Sequence, residues 1–363
     1  MQPIHNTHTH IFTLDSIPNQ FLPLGLVQLA RTKAGGALLG VLLNQLWPFA
    51  KNDKLDRLAA FLNIGALRTQ KDIFEFVQKF YPSDSRFVVL SLDLEYLGAG
   101  IAPLSYIDQL RQLIQLKYRY PDNLFPFVCA DPRRPRFLEL VTNTIEKHGF
   151  TGIKLYPSLG FCPADGRMMS LYAYAEANDI PIITHCSRGG IYFQGERTSD
   201  MHCSTYRPHW WPLTDRKNFA NRFVDPSNYE PVLERFPKLR ICFAHYGGRQ
   251  EWNDFLLHPW PNDTHTPSWL SKINDMMRKY PNVYADVAFT AFQRRFWPLI
   301  KVLMNTELIQ DRILYGSDFY MVRSSVSERE FSINLRGSIG EQEYTQMARI
   351  NPARFLKFEQ ESK

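Results

Sequence analysis

The chain has 363 residues, of which 44% are hydrophobic, and carries a formal net charge of +6 at pH 7. This length suits a single α/β barrel with insertions, and the composition excludes a chain too polar to bury a core. The mild basic excess fits an anionic small substrate as well as nucleic acid, so charge alone does not separate these two classes of partner.

Cysteine usage and hydropathy predict the compartment. The five cysteines are irregularly spaced, and Cys129 and Cys242 lie within apolar runs. We therefore expect reduced, mostly buried thiols and a cytoplasmic protein. The polar residues 5–7 argue against a signal peptide. The most apolar segment, residues 36–50, is shorter than the roughly 20 residues that span a bilayer, and we expect a helical hairpin packed on the protein.

Eight short apolar segments alternate with amphipathic helices along the chain. The segments, rich in Val, Ile, Phe and Tyr, are 4–12, 87–94, 124–130, 152–156, 180–186, 239–245, 283–289 and 312–318. The clearest helix patterns are 105–120, 167–179 and 268–280, and a final helix is expected to begin at Asn351 with Pro352 in its first turn. This alternation predicts an α/β fold, a (β/α)8 TIM barrel. A doubly wound open sheet is the alternative, but no GxGxxG motif follows the first strand.

Two insertions interrupt this regular alternation. They cover about residues 13–70, after the first strand, and 187–232, after the fifth. Long insertions after strand ends usually build a substrate pocket or its lid. No linker or repeat divides the chain, so we expect one domain over residues 1–363. The apolar residues 20–50 suggest either a homodimer interface or a cover for the barrel.

Two histidines on the first strand are candidate metal ligands. Side chains two residues apart on a strand share a face, so His8 and His10 are expected to point together into the barrel. Burying two imidazoles is costly unless they bind something, and neutral imidazole is the commonest metal ligand. Two ordinary polar residues would fit the same local pattern. His5 falls on the opposite face and is expected to be a bystander.

Other strands end in residues that could complete a site. His185, His245 and Asp318 close the fifth, sixth and eighth strands, and barrel enzymes keep their active sites at this end. Lys154 lies within the fourth strand, either paired with a carboxylate or as a metal-site lysine that CO2 can carboxylate. Asp286 on the seventh strand is either a site residue or a buried, hydrogen-bonded carboxylate.

The pattern resembles the amidohydrolase superfamily of metal-dependent TIM-barrel enzymes, specifically amidohydrolase family 2. The matching pieces are THTHIF, FVCADPRRP, GFTGIKLYP, IPIITHCS, ICFAHYGG, ILYGSDF and NPARFL, which run in order from residue 4 to about 356. The resemblance implies that one divalent ion, most often zinc, is held by His8, His10, His185 and Asp318. In two-metal members a carboxylated lysine, here Lys154, bridges to a second ion held by His185 and His245. In one-metal members His245 would act as acid or base, or orient the substrate.

The chemistry implied is hydrolysis of an amide, ester or lactone in a small, carboxylated molecule by metal-activated water. Asp318 would take the proton from that water. The alternative within the same family is a non-oxidative decarboxylase of the aminocarboxymuconate-semialdehyde type, which uses one metal. Lys154 favours the hydrolase. A third hypothesis is a catalytically idle barrel that serves as a scaffold.

Two arginines are candidates for binding a substrate carboxylate. Arg188 closely follows His185 and Arg249 follows His245, and each could instead cap the barrel rim. Tyr192, Trp210 and Trp211 could line an aromatic wall, although packing within the insertion is the preferred interpretation for the tryptophans. The arginines of residues 131–137 are interpreted as solvated charges, so neither a nucleic-acid nor a membrane partner is expected.

Overall fold

The computed structural model describes residues 2–22, 25–32, 67, 69–198, 201, 203, 215–259, 266–319 and 328–358. The expected hairpin at 36–50 and the candidate aromatic residues Trp210 and Trp211 lie outside these ranges. Within them, no helix is long and apolar enough to cross a membrane.

Eight parallel strands of the described residues pair in chain order as one sheet. They are β1 (His5–Thr9), β2 (Arg86–Leu90), β3 (Leu124–Ala130), β4 (Gly152–Leu155), β5 (Ile182–Ser187), β6 (Ile241–Gly247), β7 (Val283–Asp286) and β8 (Ile313–Leu314). Beyond the short β8, the Thr7 amide donates to the Tyr315 carbonyl and the Asp318 amide donates to the His8 carbonyl, both at 2.9 Å. These bonds draw the last strand onto the first, and the predicted TIM barrel is confirmed.

Helices connect the strands on the outside of the barrel. They are α1 (Leu26–Arg31), α2 (Gln70–Gln78), α3 (Tyr106–Arg119), α4 (Phe137–His148), α5 (Met169–Ala177), α6 (Arg216–Asn221), α7 (Glu230–Arg235), α8 (Arg249–Leu257), α9 (Trp269–Lys279), α10 (Trp297–Leu303), α11 (Glu328–Ile339), α12 (Glu341–Thr345) and α13 (Asn351–Leu356). A π-helical turn, Gln346–Ile350, joins α12 to α13. Short 3-10 turns lie at Leu14–Ser16, Leu94–Tyr96, Pro157–Leu159, Gly166–Met168, Pro226–Tyr229, Thr290–Phe292, Arg294–Phe296 and Gln310–Arg312.

Side-chain caps fix where the predicted helices begin. The Ser105 side chain accepts from the Asp108 amide before α3, and the Ser268 side chain accepts from the Ser271 amide before α9. Each satisfies a backbone donor that a helix start leaves unpaired. Pro121 and Pro281 follow closely after the two helix ends, as the sequence predicts.

The core has two parts separated by the sheet. The barrel interior is filled by side chains of alternate strand positions, among them Val88, Leu90, Phe127, Ile183, Cys242 and Leu314. A larger apolar layer lies between the strands and the helices. The barrel is therefore packed below its carboxyl end, and polar side chains collect above this packing.

The described parts of both insertions pack over the carboxyl ends of the strands. Phe12, Leu14 and Ile17 pack with α1 and with residues that follow β2 and β4. In the second insertion the Gln194 amide donates to the Leu97 carbonyl, which follows β2. Gly98 fits only as glycine, because a Cβ there would lie 2.4 Å from the Gly195 backbone. The described parts of the insertions thus cover the end of the barrel where the candidate site residues lie.

The expectation that all cysteines are reduced is wrong for two of them. Cys162, after β4, forms a disulfide with Cys203 of the second insertion, with their Cα atoms 5.3 Å apart. Both residues lie in loops that the fold brings together at the carboxyl end of the barrel. Cys129, Cys186 and Cys242 are buried free thiols, as expected. Because disulfides form in oxidising compartments, the cysteines no longer support the predicted cytoplasmic location.

The arginines after β3 are paired rather than solvated, which corrects the sequence interpretation. Arg133 pairs with Asp131 and Arg134 with Asp93, both at 2.6 Å, and each arginine side chain is about one-eighth exposed. Only Arg136 remains largely exposed. The charges of this segment therefore serve the protein's own loops.

Candidate metal centre

His8, His10 and Asp318 meet at the carboxyl end of the barrel. One ligand atom from each lies within 4.8 Å of the others, and all three side chains are buried. The pairing of β1 with β2 shifts register between Asn6 and Thr9, so strict alternation does not hold along this strand. The two histidines nevertheless reach one cluster, as predicted.

Hydrogen bonds at Nδ1 fix the orientation of both imidazoles on β1. His8 Nδ1 lies 2.9 Å from the Asp286 Oδ2 atom, and His10 Nδ1 lies 2.9 Å from the Leu90 carbonyl oxygen. In each case Nδ1 carries the donated hydrogen, which leaves the Nε2 lone pair for another partner. His8 Nε2 has no hydrogen-bond partner within the described residues. Metal-bound histidines are typically held in this way by an outer carboxylate or carbonyl.

His185 and His245 extend the cluster from β5 and β6. His245 Nδ1 lies 3.1 Å from the Ala288 carbonyl oxygen, and His245 Nε2 lies 3.2 Å from His185 Nδ1. His185 thus hydrogen-bonds His245 through Nδ1, and its Nε2 atom has no partner in the described residues. His185 is in neither group of possible ligands that the described residues form, which are His8 with His10 and Asp318, and His8 with His245 and Asp286. The His245 ring also lies 4.8 Å, centre to centre, from the His8 ring.

Lys154 is fully buried in this cluster. Its Nζ atom has no hydrogen-bond partner among the described residues, so the paired-ammonium alternative finds no direct partner there. Burial lowers the pKa of the Lys154 amine to about 8, although Asp286 and Asp318 act in the opposite direction. An amine with this pKa is partly neutral at physiological pH, and only the neutral amine can react with CO2.

Burial keeps the imidazoles neutral. Desolvation lowers the pKa of His8, His10 and His185 well below 6.5, and it lowers the pKa of His245 to about 4. Neutral imidazole is the form that binds metal. Together with the unpartnered Nε2 atoms of His8 and His185, these donors fit a divalent ion.

Asp286, which the sequence left undecided, belongs to the centre. Besides His8 Nδ1, its carboxylate accepts from the backbone amides of His245 and Ala288. It also forms a second possible ligand group with His8 and His245. Its signal in the sequence was a polar residue at the end of an apolar strand, the same signal that selected Asp318.

The backbone is strained where these strands end. His245, Tyr246, Phe289 and Asp318 have positive φ values of 63°, 48°, 59° and 52°. Such conformations are uncommon for non-glycine residues and cluster at functional sites. Two of the four are candidate ligands, so the strain lies at the cluster itself.

Two residues near His185 escaped the sequence analysis. The Tyr156 ring stacks on the His185 ring with centres 4.3 Å apart. Gly190 has φ +75°, and a Cβ there would lie 3.5 Å from His185 Nε2. The glycine therefore lets the second insertion pass close to a candidate ligand. Tyr156 lies in the sequence GIKLYP and Gly190 in SRGG, and no pattern in either stretch marks the residue as part of a site.

The two arginines predicted to bind substrate follow β5 and β6. Arg188 forms an ion pair with Glu251, and its guanidinium lies 4.4 Å from the Trp269 ring centre. It lines a separate cavity of about 550 Å³ together with Lys272. Arg249 begins α8 and is half-buried. Their role in substrate binding stays a prediction.

His5 is separated from the cluster by its place along the strand. Its ring stacks on Phe358 at 5.3 Å, and the same phenylalanine contacts Arg86 at the start of β2. His5 thus lies at the amino-terminal end of the barrel. This agrees with its interpretation as a bystander, although its position along β1, rather than its face, is the reason.

Comparison with known proteins identifies a matching protein family. A family model described as amidohydrolase, of the amidohydrolase 2 type, matches residues 99–358. The match includes His185, His245 and Asp318 but begins after β1, and thus after His8 and His10. No curated protein matches the chain.

Solved structures share the fold at low sequence identity. An uncharacterised TIM-barrel protein from Bordetella bronchiseptica has a TM-score of 0.58 at 14% identity, over 98% of each chain. Manganese-bound 5-carboxyvanillate decarboxylase from Novosphingobium aromaticivorans has a TM-score of 0.57 at 12% identity, over 98% of this chain and 96% of that one. A probable 2-pyrone-4,6-dicarboxylic acid hydrolase from Acinetobacter baumannii has a TM-score of 0.55 at 12% identity, over 98% of this chain and 99% of that one.

The matching family model covers most of the barrel, and the strand ends within it carry three of the predicted ligands. The chain belongs to the amidohydrolase 2 family.

Proposed function

We propose that this protein is a metal-dependent hydrolase that cleaves a C–N or C–O bond in an amide, ester or lactone. The observation that carries the proposal is the meeting of His8, His10 and Asp318 ligand atoms within 4.8 Å of one another. The His245 ring adjoins the His8 ring of this group, and the His185 ring adjoins that of His245. The substrate is proposed to be small and carboxylated, since both insertions cover the site and the chain is basic.

The proposed ligands of the primary ion are His8, His10, His185 and Asp318. When bound, a divalent ion lowers the pKa of a coordinated water to about 7 and polarises a carbonyl oxygen. We propose zinc, because imidazole-rich donor sets with a carboxylate suit it. One neighbour with the same fold holds manganese.

The protein's own groups then have separate roles. Asp318 takes the proton from the attacking water and passes it to the leaving group. Asp286 holds His8 through Nδ1, and the Ala288 carbonyl holds His245 in the same way. His245 orients the substrate carbonyl, or would ligate a second ion. Lys154, if carboxylated, would be a further ligand for the divalent ions.

Decarboxylation is the second candidate, and one observation favours it. Lys154 Nζ is buried and has no hydrogen-bond partner in the described residues, so beside a single ion it could meet the carboxylate of a substrate. His8, His10 and Asp318 would hold that ion. Lys154 would then remain a cation and bind the carboxylate of the substrate.

An assay of the two products separates these functions. The protein, loaded with zinc or manganese, is given simple esters, N-acyl amino acids, 2-pyrone-4,6-dicarboxylate and hydroxybenzoates, and both released acid and released CO2 are measured. The proposal expects hydrolysis without CO2, and a loss of activity of about 100-fold in Lys154→Met, since metal ligands are costly to remove. Lys147→Met, on the exposed side of α4, is the matched control.

Release of CO2, with Lys154→Met failing to bind the carboxylated substrate, would replace the hydrolase by a decarboxylase. Bound metal with no turnover of any compound would favour a scaffold. Neither a nucleic acid nor a membrane is part of the proposal, and a homodimer stays a prediction.

A further inference from the structure

The side chain of Asn6 makes hydrogen bonds with every donor and acceptor it has. Its Oδ1 atom accepts from the backbone amides of His8, at 3.3 Å, and Ser317, at 3.0 Å. Its Nδ2 atom donates to Ser317 Oγ at 2.9 Å and to the Tyr81 hydroxyl at 3.1 Å, and it lies 3.5 Å from Glu328 Oε1. An amide offers two donors and two acceptor positions, so Asn6 is fully used.

Glu328 is the buried carboxylate at the far side of this network. Tyr81, just after α2, donates its hydroxyl hydrogen to Glu328 Oε1 at 2.6 Å. The Tyr81 oxygen also lies 2.9 Å from the Tyr315 hydroxyl. Asn6 and Glu328 are both 0% exposed. Burying a carboxylate is costly, and this one takes no part in the candidate ligand set.

The network holds the two backbone segments that carry ligands. His8 is on β1, and Ser317 directly precedes Asp318 after β8. One Asn6 oxygen receives both backbone amides, and the Asp318 amide donates to the His8 carbonyl at 2.9 Å. The relative placement of His8 and Asp318 therefore depends on which way the Asn6 amide points. Tyr81 and Glu328 fix that direction, because they accept from Nδ2.

We propose that Asn6 and Glu328 are positioning residues that set the metal affinity of the centre. Asn6 sets the spacing between His8 and Asp318, and Glu328 acts on that spacing through Asn6 and Tyr81. The inference rests on the metal centre of the proposed function. It adds residues outside the ligand set, one of which lies on a helix of the outer layer.

Exchanging the Asn6 amide and the Glu328 carboxyl group, singly and together, tests whether these residues set the metal affinity. In Asn6→Asp an oxygen replaces the Nδ2 donor and faces the Glu328 carboxylate. We expect zinc affinity about 10- to 100-fold weaker, the usual cost of losing a partner that holds a ligand in place. Glu328→Gln keeps an oxygen that accepts from Tyr81, so its affinity should stay within about threefold of the original, the scale of a retained contact. The double variant should recover most of the loss, because the glutamine amide can donate to the carboxylate introduced at position 6.

Zinc affinity is measured on metal-free protein by competition with a chromophoric chelator, alongside thermal unfolding of the same samples. The buffer is at pH 8, because burial raises the pKa of the Glu328 carboxyl to about 7. Asn351→Asp is the matched control. Asn351 is also 0% exposed, and it donates to the Gln310 and Ile313 carbonyls at the other end of β8. It should lower the melting temperature and leave zinc affinity unchanged.

The proposal is overturned if Asn6→Asp binds zinc as tightly as the original protein, or if the double variant binds no better than Asn6→Asp. Should Asn6→Asp not fold, Tyr81→Phe replaces it, since it removes only the hydroxyl that joins Asn6 to Glu328. Unchanged zinc affinity in Tyr81→Phe would count against the proposal in the same way. Absence of zinc binding by the original protein would instead overturn the proposed function itself.

Discussion

His5 and His8 are buried imidazoles three positions apart on one strand, and their surroundings differ. His8 adjoins Lys154, His245 and the Asp286 carboxylate. His5 stacks on Phe358, and burial together with Arg86 and Arg349 lowers its pKa to about 3. It therefore stays neutral in the folded protein under conditions where the unfolded chain is protonated.

The lowered pKa of His5 predicts that this residue makes the folded protein less stable in acid. Its folded pKa lies below its unfolded value of 6.5, so the unfolded state binds more protons as the pH falls below 6.5. At pH 4.5 this costs about 2 to 3 kcal/mol of unfolding free energy, at 1.36 kcal/mol per pKa unit. In His5→Phe, which keeps the stack on Phe358, the decline between pH 7 and 4.5 should be smaller by that amount.

Urea unfolding at pH 7 and pH 4.5 measures the decline in unfolding free energy of each protein. The other buried histidines titrate in both proteins, so the difference between the proteins isolates His5. His148→Phe, outside the barrel on α4, is the control and should decline as the original protein does. Equal declines in His5→Phe and the original protein would show that His5 is not buried as described.

Single residues also show how far the sequence could predict the site. His185, His245 and Asp318 stand out because each is polar at the end of an apolar strand, where a barrel collects its active-site groups. His8 and His10 stand out because residues two apart on a strand share a face. Asp286 gives the same local signal as Asp318, but its role depends on which side chain faces it across the barrel. Asn6 and Glu328 are 322 positions apart, and only the fold reveals their contact.

At the scale of elements, the second insertion is tied to the loop after β4. The Cys162–Cys203 disulfide joins them across 41 positions, and Cys162 packs with Phe193, Phe219 and Phe223. Strands and helices followed from periodicity and capping residues. This pairing did not, because both cysteines lie in loops whose path no periodic pattern determines.

The disulfide predicts a thiol count and a stability change. Denatured, unreduced protein should show three reactive thiols with Ellman's reagent, and reduced protein five. Cys203→Ser should lower the unfolding free energy by about 2 to 4 kcal/mol, because the unfolded chain regains the entropy of an open loop. Cys162→Ser removes the other half of the same disulfide and should lower the unfolding free energy at least as much, because Cys162 is the more buried of the two. Five thiols before reduction would contradict the pairing.

At the scale of the whole molecule, one barrel end gathers the chemistry while the rest provides stability. The strand order follows the sequence prediction, because eight alternating apolar segments admit few arrangements. The family is established by the match over residues 99–358. The proposed reaction would use groups contributed by six different strands or their ends, and short motifs do not specify how these groups combine.

Metal content per chain tests the central claim most directly. Elemental analysis of the purified protein after dialysis should find at least one divalent ion per chain. Asp318→Ala and His8→Ala should each lose at least about 90% of it, since each removes a proposed metal ligand, while circular dichroism stays unchanged. A protein without metal after incubation with zinc or manganese, or variants that keep their full metal content, would contradict the account.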